Sequence, residues 1–188
     1  MNDLHWMTVA EAARAIAVRK LSPVELMGAL LERIGRLDPK LNVFIRLDGD
    51  AAMDAARAAE TEVMSGRRRG PLHGVPVGIK DIIDVAGLPT TCHSKLLIDN
   101  IASTDAVCVS RLRGAGAIVL GKLSTHEFAI GGPSFDLPWP PARNPWNSDH
   151  HPGGSSRAQV RGWLRGYSRW RSAATPAAAC AIQPAPAA

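Results

Sequence analysis

The stretch Gly70–Asp84, Gly-Pro-Leu-His-Gly-Val-Pro-Val-Gly-Ile-Lys-Asp-Ile-Ile-Asp, constrains this chain more than any other. A Gly/Pro-rich turn runs into a short apolar strand, and Lys80 sits inside that strand. Val75, Val77 and Ile79 share one face by period-two alternation, and Lys80 has the opposite parity. An ammonium flanked by Ile79, Ile82 and Ile83 is costly to bury. It must be paired, or lose its proton as desolvation lowers its pKa, and a neutral lysine is a usable base. The other arrangement is a buried stem whose charged head reaches water. Taken alone, the stretch is compatible with both.

The elements around it alternate between helix and strand. Thr8 with Glu11 three residues on is a capping box, and Val9, Ala12, Ala13, Ile16 and Ala17 follow at helical spacing. Ser22 caps a second helix, Pro23 takes its first position and Glu25 completes the box. Its apolar stripe is Leu26, Met27, Leu30, Leu31, Ile34 and Leu37, and Asp38-Pro39 is expected to stop it. A strand is expected over Leu41–Leu47, then an alanine-rich helix from about Asp50 to Ser65 with Gly66 at its end. After the Lys80 strand, a fourth helix is expected from near Thr104-Asp105 to Gly114. Ile118–Lys122 reads as a second buried strand, and Ser124 to Glu127 as the cap of a short helical turn. This alternation implies an α/β layer architecture. From Gly131 to Gly154 the chain turns loop-like and rich in glycine and proline, and long irregular segments in compact domains are usually functional.

Composition narrows the class. A hydrophobic share of 46% is ample for a core. No apolar run is long enough to span a bilayer, and Met1–Trp6 lacks a basic start followed by an apolar stretch. Cys92, Cys108 and Cys180 are an odd number without metal-ligand spacing, which fits free thiols in a reducing compartment, the cytoplasm by default. The net charge of +5 comes from the last residues. Arg157, Arg161, Arg165, Arg169 and Arg171 are the only charged residues after Ser156; the other Lys and Arg balance the 17 Asp and Glu. A basic face for nucleic acid would be expected within the folded body, which is neutral.

The site pattern emerges when several motifs are read together. Gly153-Gly154-Ser155-Ser156 is a glycine-rich approach to two hydroxyls, and the glycines leave room for a ligand. Gly74–Asp81, Gly121-Lys122, Asn144-Pro145-Trp146 and Pro152–Ser156 resemble, in order and approximate spacing, the amidase signature family. Thr90–Lys95 and Glu127-Phe128-Ala129 extend the likeness, which covers most of residues 8–156. These last segments resemble both amidases and the A subunit of the glutamyl-tRNA(Gln) amidotransferase. The resemblance implies an amidase signature fold, a mixed β-sheet covered by helices, present here in its N-terminal part. It also implies a Ser–cis-Ser–Lys triad, in which Lys80 matches the family lysine and Ser155 the bridging serine. Gly131, Gly132, Pro133 and Ser134 resemble a segment lining the substrate pocket. A purely structural turn is the competing account of those four residues. No metal or other cofactor is implied; His126, His150 and His151 read as surface or satisfied histidines. The implied partner is a small amide substrate, and a homodimer is left open. Partner amidotransferase subunits are implied only if the likeness to the amidotransferase is the one that holds.

The resemblance ends after Ser156. The family places its nucleophilic serine, in an Asp-Thr-Gly-Gly-Ser motif, about two dozen residues beyond the bridging serine. Here that interval reaches Ala178-Ala179-Cys180. Residues 1–66 therefore read as an N-terminal helical segment and 67–156 as a partial core. Residues 157–188 read as a basic, Ala/Pro-rich tail outside the family pattern, with a composition typical of disorder. The genetic code permits a frameshift as its origin. One choice of codons for Trp170–Gln183, read from the third base, encodes Ala-Leu-Gly-Ser-Asp-Thr-Gly-Gly-Ser-Val-Arg-Asn-Pro, with its Gly-Gly-Ser serine across codons 178 and 179. Three functions follow. The first is a hydrolase of carboxamide C–N bonds, truncated before its nucleophile and inactive. The second is the A subunit of a glutamine-dependent tRNA amidotransferase. The third is a non-catalytic module binding single-stranded nucleic acid through Trp163, Tyr167, Trp170 and the tail arginines.

Overall fold

The computed structural model describes residues 4–150 and Pro152. Helix α1 (Val9–Ala17) starts at the expected capping box: the Glu11 amide donates to Thr8 Oγ1 at 3.1 Å and the Thr8 amide to Glu11 Oε2 at 2.5 Å. Helix α2 (Pro23–Leu41) starts at Ser22, whose hydroxyl oxygen accepts from the Val24 and Glu25 amides at 3.0 and 3.2 Å. The same hydroxyl donates to Glu60 on helix α3 (Gly49–Met64), so a local cap doubles as a tie between helices.

Asp38-Pro39 does not stop α2, contrary to expectation. The helix carries Pro39 in its last turn and ends at Asn42, which takes a left-handed conformation at φ 52°. Proline removes one hydrogen bond there, but one further turn buries Leu41 in the main core. Asp38 supports the exit, because its carboxylate accepts from the Val43 amide at 2.7 Å and the Phe44 amide at 3.3 Å. Burial raises the Asp38 pKa from its ordinary value, and these two amides oppose the rise.

Three strands form one mixed sheet in the order β1-β3-β2: β1 (Phe44–Leu47), β2 (Pro76–Lys80) and β3 (Ile118–Leu123). The pair β1·β3 is antiparallel; β2·β3 is parallel, joined through helix α4 (Val107–Gly114) as parallel pairing requires. Both expected apolar strands are present. Helix α4 begins later than expected, because Asp105 is used elsewhere: its carboxylate accepts from the Ala86 amide at 2.7 Å. Met27, Ile34, Leu41 and Val43 meet Ala52, Ala56 and Ala59 of α3 and Ile118, Leu120 and Leu123 of β3 in one cluster. Ile79, Val85, Val109 and Leu112 form a second, beneath α4. Val75 does not share the packing of Val77 and Ile79, as the alternation predicted. It joins Ile16, Leu26 and Leu30 in a third cluster, because it precedes the strand proper.

The central strand is irregular on both sides. Pairing with β2 slips between Val77 and Gly78, and pairing with β1 slips between Phe44 and Arg46. Gly121 lies at this irregularity with φ 150°, and a Cβ there would fall 2.1 Å from the Arg46 carbonyl oxygen. Only glycine tolerates both the conformation and the approach. Gly121→Ala is therefore expected to destabilise the chain by at least the 1–3 kcal/mol of roughly one strained residue. Gly66→Ala, also at positive φ but with open space around its Cβ, is expected to cost less. Urea unfolding of both variants checks the difference.

Candidate active site

Lys80 is the last residue of β2 and is 1% exposed. Its carbonyl accepts from the Ile82 and Ile83 amides at 2.9 and 3.1 Å, so the chain turns sharply behind it. Burial lowers the Lys80 pKa below the ordinary lysine value. Of the two arrangements compatible with the sequence, the structure adopts the buried one; the head does not reach bulk water.

A second buried lysine, whose role the sequence reading missed, stands beside it. Lys122 pairs in register with Ile79 on the neighbouring strand and is also 1% exposed. Its Nζ donates to the Ile83 carbonyl at 2.8 Å, the Pro89 carbonyl at 3.1 Å and Thr90 Oγ1 at 2.8 Å. Those three bonds use the full complement of an ammonium. Asp81 Oδ1 lies 3.1 Å from the same nitrogen and Asp81 is 0% exposed. Oδ1 receives no well-aligned hydrogen bond and meets the ammonium as an ion pair. Burial thus lowers the pKa of both lysines, and at Lys122 the Asp81 carboxylate works against that fall. The signal was available in the sequence, since Lys122 sits in an apolar strand just as Lys80 does.

The other Asp81 oxygen organises the segment after Pro89. Oδ2 accepts from the Thr91 amide at 3.1 Å, from the Thr91 hydroxyl, and more distantly from the His93 amide at 3.5 Å. To aim these groups inward, Cys92 and His93 take left-handed conformations at φ 50° and 58°. Phe128 and Ala129 do the same at 48° and 60°. The two strained segments touch, the Phe128 amide donating to the Cys92 carbonyl at 2.9 Å. Such residues are uncommon and persist where the surroundings over-determine them, often at active sites.

The loop Gly131–Ser134 follows directly. Gly131 and Gly132 are exposed, while Pro133 and Ser134 are half-buried. His126 Nδ1 lies 2.5 Å from the Gly131 carbonyl, and the Ser134 hydroxyl donates to Asp136. Further along, His93 Nε2 donates to the Trp139 carbonyl at 3.0 Å. His126 is thus engaged with backbone and holds the N-cap position of the short 3-10 turn Glu127–Ala129 without a side-chain cap bond, while the expected cap Ser124 faces His93 Nδ1 at 3.5 Å. Among the described residues there is no group of three metal-ligating side chains, and no helix is long and apolar enough to cross a membrane. Lys80 is linked to the loop through backbone: Asp81 carbonyl to Cys92 amide at 2.9 Å, then Cys92 to Phe128. Ser155 and the tail lie outside the described residues.

The two lysines should respond oppositely to removal of charge. Lys122→Met leaves Asp81 buried without a counter-ion and is expected to cost about 3–5 kcal/mol in chemical denaturation. Lys80→Met removes a burial penalty and is expected to raise the melting temperature at neutral pH. Between the lowered Lys80 pKa and the ordinary value of about 10.4, the unfolded chain binds more protons than the folded one. Native stability therefore rises with pH through that window. The advantage of Lys80→Met shrinks across it, and melting curves from pH 7 to about 10.5 read this directly.

Comparison with known proteins shows the family. A family described as Amidase matches residues 25–157. The A subunit of the glutamyl-tRNA(Gln) amidotransferase of Acidothermus cellulolyticus is 43% identical over 156 residues, covering 83% of this chain and 31% of that protein. Its counterpart from Azotobacter vinelandii is 46% identical over 153 residues, covering 81% and 32%. The chain thus spans about a third of the length of these curated relatives. Among solved structures, the native peptide amidase of Stenotrophomonas maltophilia superposes with a TM-score of 0.78 at 35% identity, covering 86% of this chain and 34% of that one. A bacterial aryl acylamidase of the amidase signature family gives 0.81 at 28%, covering 88% and 34%. By a family match over most of its length and by a shared mixed-sheet fold, the chain belongs to the amidase signature family.

Proposed function

We propose that this chain carries the base side of an amidase active site, built to cleave the C–N bond of a carboxamide through an acyl-enzyme. The observation that carries the reading is Lys80, buried at the end of β2 with its pKa lowered by desolvation. A neutral Lys80 accepts a proton from the Ser155 hydroxyl. Ser155, as the bridging serine of the triad, accepts one from the nucleophilic serine, whose oxygen then attacks the amide carbon. The tetrahedral intermediate collapses with loss of the amine, which takes up the transferred proton. Water then releases the acyl group. In this proposal Gly131, Gly132, Pro133 and Ser134 contact the substrate. The tie from His126 to Gly131 and the backbone link back to Asp81 favour that role.

The nucleophile is the missing member. The position it takes in the family falls at Ala178-Ala179 in this chain, where neither side chain can attack a carbonyl. We therefore read the 188-residue chain as inactive and its tail as a shifted frame of the Gly-Gly-Ser segment. A second reading, the A subunit of a glutamine-dependent tRNA amidotransferase, is favoured by the curated relatives that carry that name. It would act on glutamine and pass ammonia to partner subunits.

The purified 188-residue chain is expected to release no amine from a simple aryl amide. A frame-restored version is expected to do so without partner subunits, and to lose the activity on Lys80→Ala. Hydrolysis by the 188-residue chain that disappears in Lys80→Ala would overturn the inactive reading. A frame-restored protein that hydrolyses glutamine only with partner subunits present would favour the amidotransferase.

A further inference from the structure

Lys122 spends its three protons on two carbonyls and a hydroxyl from the segment 83–90. That segment begins in the turn behind Lys80, whose carbonyl takes the Ile82 and Ile83 amides. Asp81, next in sequence to Lys80, binds the far end of the same excursion through Thr91 and His93. Its own amide donates to the Leu123 carbonyl at 3.0 Å, and its carbonyl takes the Cys92 amide. Every polar group of Asp81 other than Oδ1 is thus fastened to β3 or to Thr91–His93. We propose that the buried Asp81–Lys122 pair is the positioning device for Lys80, locking the turn Lys80–Ile83 against β3 so that the lysine amine stays inside the protein.

The energetics favour a positional role. A buried ion pair contributes little net stability over an apolar pair of similar volume, because two desolvation penalties offset the attraction. Here the penalty is increased, since Asp81 Oδ1 forgoes a hydrogen bond while Lys122 fastens three groups of the excursion. What the arrangement supplies, and an apolar pair would not, is a fixed direction for the backbone on each side of Lys80. Asp84, exposed beside this knot, is the other carboxylate whose charge reaches Lys122. The inference rests on the reading of Lys80 as the base, and it makes Asp81 and Lys122 positioning residues for it.

The test is the titration of the Lys80 side chain by NMR in the 188-residue chain, with lysine isotopically labelled and the resonance assigned by its absence in Lys80→Arg. The variants are Asp81→Asn and the double substitution Asp81→Leu with Lys122→Met, which removes both charges together and keeps the fold accessible if the single variant unfolds. In wild type the midpoint is expected below the ordinary lysine value. In the variants it is expected to rise toward that value by about one pH unit, a tenfold change in the protonation equilibrium, as the released amine reaches water. Leu112→Ala, a core loss elsewhere, is expected to lower stability without moving the midpoint. A folded double variant with the wild-type midpoint would overturn the positioning role and leave the base reading intact. An ordinary midpoint in wild type would instead overturn the base reading, and this inference with it.

Discussion

The buried attraction between Asp81 and Lys122 is the constraint around which the described residues are arranged. A carboxylate and an ammonium that are both removed from water must be given partners, and the polar groups within reach belong mostly to backbone. Satisfying Lys122 draws in Ile83, Pro89 and Thr90; satisfying Asp81 draws in Thr91 and His93. One polar contact between β3 and the residue that follows β2 thereby organises an excursion that has little regular structure. The left-handed Cys92 and His93 lie on this path, their amides bonded to the Asp81 carbonyl and carboxylate. Through the Cys92–Phe128 bond the same constraint reaches the segment that leads into the Gly131–Ser134 loop.

The apolar frame holds this knot in place. The β3 strand is covered on its α2/α3 side by Met27, Ile34, Ala52 and Ala56, and α4 packs on the β2 side through Val109 and Leu112. Small residues on α3 allow the helix to approach the sheet closely, and alanine burial costs no side-chain entropy. The irregular pairing about Gly78 and Gly121 then breaks the simple alternation of the central strand, so Lys122 and Leu123 are both buried. Sheet irregularities of this kind re-aim side chains next to functional sites.

Much of the scaffold was legible in the chain itself. Thr8/Glu11 and Ser22/Pro23 mark their helices by chemistry confined to four residues, and both begin where expected. The apolar stripe of α2, the alanine helix and the two apolar strands were readable from period alone. Lys80 stood out because a charge in an apolar strand has few explanations. Less was legible at the helix ends and turns. Pro39 stays in α2 because Leu41 gains a buried site beyond it, and that gain depends on α3 and β3. Asp105 leaves the start of α4 to bind Ala86, a partner nineteen residues away.

The sequence by itself determined the element order, the α/β class and the family, since these rest on local caps, periodicity and ordered motifs within short spans. It also marked Lys80 as a residue requiring an explanation. Only the tertiary structure decided that the buried Lys122 amine meets the Asp81 carboxylate. That contact is created by the register of β3 on β2 and the irregularity in their pairing. It likewise decided that Cys92, His93, Phe128 and Ala129 are left-handed. They accompany hydrogen bonds that local sequence does not encode: His93 to the Asp81 carboxylate, Cys92 to the Asp81 carbonyl and Phe128 to Cys92.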